Sequence, residues 1–97
     1  MLGLIVRELD LQTAERLDLP KRTKGVLITR VELMNSSFDP EIERGTVLLE
    51  INRQHIESLA DYRRLARASR PGDIVALYVY LPALDQRKLL TVRVEGR

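Results

Sequence analysis

The sequence predicts an α+β domain, a small and partly open barrel or sandwich of five to six β-strands capped by two helices. Three observations carry that prediction. Short apolar runs rich in β-branched residues at 2–6, 26–32, 47–51, 74–80 and 89–94 read as strands bounded by turn residues. Two other stretches, opening at Asp10 and Ser58, place apolar residues at helical spacing behind a capping side chain. The helices do not alternate regularly with the strands, which argues against a doubly wound parallel sheet.

The elements follow in order. The run at 2–6 predicts a strand buried on at least one face. Asp10 then caps a short helix, its carboxylate accepting the free amide of residue 12 or 13, with Leu11, Ala14 and Leu17 on one side. Pro20 is expected to end that helix and Gly25 to free the backbone ahead of the strand at 26–32. Residues 35–40 form a polar loop, and the strand at 47–51 reverses at Asn52 and Arg53. Ser58 and Asp61 make an S-x-x-D cap, behind which Leu59, Tyr62, Leu65, Ala66 and Ser69 repeat at helical spacing until Pro71-Gly72. The last two strands form an antiparallel pair across a long loop at 81–87, where Tyr80, Leu81 and Leu84 are candidates for an exposed apolar contact.

The 97 residues fit a single domain over 1–97, with 44% apolar and 31% charged residues. A core of that size leaves little apolar area for an enclosed pocket, so a shallow groove is the expected kind of site. Sixteen basic against fourteen acidic residues give a net charge of only +2, which does not imply a polyanion partner. Arg63, Arg64, Arg67 and Arg70 read as a solvated helix face. With three Tyr and one Phe there is little to stack on bases, so no nucleic-acid partner is expected. No run approaches the ~18 apolar residues of a membrane span, so no membrane insertion is expected. Without cysteine and with His55 as the single histidine, neither a metal site nor another cofactor is implied. No Gly-x-Ser-x-Gly elbow frames Ser36, Ser37, Ser58 or Ser69, and no catalytic residues are expected in this chain.

The segment 35–52, NSSFDPEIERGTVLLEIN, followed by a helix opening at Ser58, resembles the signature of a PDZ domain. The likeness is to the C-terminal, second PDZ of HtrA/Deg-type bacterial serine proteases, and it covers nearly the whole chain in that family's permuted strand order. Where the family has Ala-Gly-Leu-x-Pro-Gly-Asp, this chain has Pro40-Glu41-Ile42-Glu43-Arg44-Gly45-Thr46. Gly45 is kept at a turn that needs positive φ, the Asp is replaced by Thr46, and Arg53 stands where glycine is preferred.

That resemblance implies a peptide-binding module that is not itself an enzyme, in a parent chain whose upstream domain is a serine endopeptidase. Its partners would be peptides or unfolded-protein C-termini, with assembly into a homo-oligomer, in the periplasm or cell envelope. In the family an x-Gly-φ element supplies amides to the ligand carboxylate, which matches Leu2, Gly3 and Leu4. The following strand, with Ile5 and Val6, would pair with the peptide. The facing wall would be the helix after Ser58, through Leu59, Tyr62, Arg63 and Ala66. Tyr62 and Leu65 have a core alternative, Ala66 leaves room for an apolar terminal side chain, and Arg63 suits an acidic one. The alternative from another class is an oligomerisation or interdomain scaffold that binds no peptide carboxylate, with the 80–84 region as its contact.

Overall fold

The structure is a computed structural model that describes residues 4–19, 23–31 and 45–94. The order of elements is β1 (Leu4–Glu8), α1 (Leu11–Arg16), β2 (Val26–Val31), β3 (Val47–Ile51), β4 (Gln54–His55), α2 (Leu59–Ala68), β5 (Ile74–Leu81) and β6 (Gln86–Arg93). All described strand pairs are antiparallel and lie in one open sheet, ordered β1-β2-β3-β5-β6, with β4 paired to β3. The sheet does not close.

Alternation along the strands divides the core between the two faces of the sheet. Val26, Ile28, Leu48, Ile51, Val75, Leu77 and Val79 pack on one face with Tyr62, Leu65 and Ala66 of α2. Leu27, Val47, Leu49 and Tyr80 pack on the other with Leu9, Leu17 and Leu19, which flank or follow α1. Fully burying an aliphatic side chain of this kind contributes about 1.5–3 kcal/mol, so the larger first cluster dominates.

Both helices start where their caps predict. Asp10 Oδ1 accepts the Thr13 amide at 2.7 Å, and that bond holds the Asp10 carboxyl below its usual range. The buried face of α1 keeps Ala14 and Leu17 of the three expected residues but not Leu11. Thr13 and Ala14 turn inward while Leu11 is 60% exposed. With only six residues the helix cannot carry a full apolar stripe, and the Arg7 guanidinium donates to Thr13 Oγ1 at 3.4 Å instead. The helix also ends before the proline. Asp18 takes φ 58°, its amide donates to the Glu15 carbonyl and that of Leu19 to the Ala14 carbonyl. This is a Schellman closure with aspartate in the left-handed position.

Gly25 is required by proximity rather than by a turn. A Cβ there would lie 2.6 Å from the Leu48 carbonyl oxygen. Gly45 takes φ 96°, as its turn demands, and its amide donates to the Ile28 carbonyl. Thr46 beside it is buried, and its carbonyl accepts the Ile28 amide. Asn52 and Arg53 both lie in the left-handed region, φ 51° and 68°, and make the two-residue β3–β4 turn. Asn52 further joins β5, with its amide donating to the Ala76 carbonyl and its Oδ1 accepting the Ala76 amide, each at 2.8 Å.

The β5–β6 hairpin is longer in strand and shorter in loop than expected. Its pairing runs from Ile74↔Arg93 to Leu81↔Gln86, leaving four loop residues. Asp85 closes the loop at φ 51° and accepts the Tyr80 hydroxyl at 2.7 Å. The expected apolar contact is corrected accordingly. Tyr80 and Leu81 are buried, and Leu84 alone of the three is exposed. Strand alternation and the hairpin register draw the first two into the sheet.

Candidate peptide groove

β1 lies at one end of the sheet and pairs only with β2 among the described strands, so its outer edge carries main-chain donors and acceptors without a neighbouring strand. α2 packs against this strand. Leu4, Val6 and Glu8 alternate onto the side facing the helix, with Ile5 and Arg7 on the other. Leu4 belongs to the main core, and Val6 and Leu59 pack on it while staying partly exposed. The result is an edge strand and a helix enclosing a shallow apolar floor.

The sequence places α2 accurately because its cap is local. Ser58 Oγ accepts the Asp61 amide at 3.2 Å, and Asp61 Oδ2 accepts the Glu57 amide at 3.0 Å. Asp61 Oδ1 also meets the exposed Arg64 guanidinium at 3.5 Å. One side of the helix is then committed to the core, with Tyr62, Leu65 and Ala66 buried. Arg63, Arg64 and Arg67 are exposed.

Leu2 and Gly3 lie outside the described residues. Val6 and Leu59 are partly exposed and Arg63 is exposed, whereas Leu4 and Ala66 are nearly closed off. Ile5 points to the opposite face at 43% exposure, so it can serve a strand on this edge only through its main chain.

Tyr62 takes its core alternative. It is 2% exposed, and its hydroxyl is buried without a hydrogen-bond partner among the described residues. Burial pushes its pKa up to about 12. Its side chain is part of the packing under the groove rather than of an open wall.

One residue of this region went unnoticed in the sequence. Glu8, the last residue of β1, accepts the Leu59 amide at the start of α2 with Oε1 at 2.7 Å. This ties strand and helix together across one end of the groove. The partners are 51 residues apart, and the alternation of Leu4, Val6 and Glu8 was the sole local hint.

No family model matches the chain. A probable periplasmic serine endoprotease, DegP-like, of Chlamydia pneumoniae is 32% identical over 75 residues, which are 77% of this chain and 15% of that relative. The solved HtrA-type protease AlgW with a decapeptide matches with a TM-score of 0.81 at 26% identity, over 100% of this chain and 29% of that one. The chain has the fold of an HtrA-type PDZ domain. A substituted form of AlgW with a tripeptide matches this PDZ domain with a TM-score of 0.74 at 26% identity, over 99% of the domain and 31% of the longer chain. The PDZ domain thus spans less than a third of the relatives it matches.

Proposed function

We propose that this PDZ domain captures C-terminal or extended apolar peptides by β-strand addition to β1. The observation that carries the reading is the outer edge of β1, which pairs with no described strand, beside α2 and the partly exposed Val6 and Leu59. A peptide strand there gains main-chain hydrogen bonds from the edge, and the floor selects its side chains. Leu2, Gly3 and Leu4 are assigned to the carboxylate and Ile5 and Val6 to the strand pairing. Leu59, Arg63 and Ala66 are assigned to the helix wall, with Tyr62 supporting them from below. The two AlgW structures, which hold a decapeptide and a tripeptide, support a peptide as the ligand class.

The domain itself carries no catalysis in this reading. It serves an upstream serine endopeptidase domain in the cell envelope, as a second PDZ that tethers substrates or regulates the protease. Titration with apolar-ended peptides, each as free acid and as amide, tests the reading. Tighter binding of the free acid is the expected outcome, and equal affinity removes the carboxylate from recognition.

A further inference from the structure

We propose that Glu8 is a specificity-determining residue of the groove, selecting a cationic side chain in the upstream part of the bound peptide. The inference rests on the peptide-binding reading above. Glu8 sits on the groove side of β1, in line with Leu4 and Val6, at the end of the strand opposite the assigned carboxylate site. Its Oε1 is held by the Leu59 amide at 2.7 Å, which fixes a normally mobile side chain in place. Among the described residues Oε2 has no hydrogen-bond partner or ion pair, so the carboxylate is positioned with no described cation neutralising it.

A peptide antiparallel to β1, with its last residue beside Leu4, advances about 3.3 Å per residue. It therefore brings its fourth residue before the last level with Glu8, four strand positions from Leu4. Side chains alternate in the added strand as in β1, so this residue faces the same side as the last one, toward α2. The nearby acidic group Asp61 is already engaged with the Glu57 amide and Arg64. Arg63, one turn beyond Leu59 along α2, is an exposed cation assigned to the wall nearer the carboxylate site. The groove thus presents charges in a fixed order, positive toward the peptide terminus and negative upstream. A lysine or arginine at the upstream position meets Glu8, and a glutamate there meets a like charge.

The test uses three peptides that share one apolar C-terminus and carry Lys, Ala or Glu four residues before the last. Each is titrated at low and high salt against the wild type and Glu8→Gln, which keeps an acceptor for the Leu59 amide and loses the charge. The wild type is expected to favour Lys over Glu about fivefold at low salt, as an exposed charge pair allows, and less at high salt. In Glu8→Gln the preference falls to about one while the Ala peptide binds as before. Equal binding of all three by the wild type overturns the assignment of Glu8 and leaves peptide capture standing. A preference that persists in Glu8→Gln overturns it equally. Failure of the wild type to bind any of the three overturns the groove reading and this inference with it. Equal binding of the three peptides by the wild type decides against Glu8 even if the variant does not fold.

Discussion

The two edges of the sheet are built in opposite ways. At one end β5 and β6 pair over eight residues each, their turn is closed by the Tyr80–Asp85 hydrogen bond, and Arg87 stacks 5.6 Å from the Tyr80 ring centroid. At the other end β1 has five residues and a register irregularity in its pairing with β2, and only Leu4 of its side chains is fully in the core. The long hairpin and central strands hold the fold, whereas β1 keeps an edge open beside a helix. Segments that receive ligands are drawn from the less stable parts of a domain, and this edge fits that pattern.

Paired truncations break the comparison most severely. Leu77→Ala, in the fully buried part of β5, is expected to cost about 2–5 kcal/mol in urea unfolding with peptide affinity retained in the folded fraction. Val6→Ala, at the half-buried β1 site, should cost no more than about 1.5 kcal/mol and weaken peptide binding. A reversal of these two effects would put the stabilising region at the wrong edge. Gly25→Ala attacks the junction between the two regions, where a Cβ meets the Leu48 carbonyl at 2.6 Å. A loss of about 2–3 kcal/mol is expected by the same unfolding measurement, because backbone rather than a flexible side chain must yield.

Tyr62 sharpens the contrast from beneath the groove. Its folded pKa, about 12, lies above the ordinary 10, so its contribution is complete below pH 10. Stability should fall as pH rises from 10 through 12, where the unfolded chain ionises first. Tyr62→Phe should remove that component of the alkaline loss and be neutral or stabilising by about 1 kcal/mol at pH 7, since it deletes an unpaired buried hydroxyl. Unfolding curves across this pH range check both statements. The smallest effect is expected at the β3–β4 turn. Arg53→Gly relieves a left-handed residue at φ 68° and should gain about 0.5–1 kcal/mol in the same assay, with no change in peptide binding.

The parts legible in the sequence are those set by neighbours along the chain. Ser58 with Asp61, and Asp10 with Thr13, announced the two helix starts because a cap acts within four residues. Apolar runs bounded by turn residues also marked the strands at 26–32, 47–51 and 74–80. Local rules failed where a distant partner decides. Leu11 is exposed because α1 docks through Thr13, Ala14 and the leucines beside it, and Tyr80 is buried because β5 lies between β3 and β6. The Glu8–Leu59 bond depends on β1 and α2 coming together, which spacing within either element does not encode. The segment 32–44, which carries much of the family likeness, lies outside the described residues.

Amide-resolved hydrogen exchange of the wild type, with and without a saturating apolar-ended peptide, tests strand addition to β1. New protection is expected at main-chain amides within Leu4–Glu8, together with unchanged exchange along Gln86–Arg93. Protection confined to the β6 edge, or a bound peptide that protects no amide of β1, would contradict strand addition at this groove.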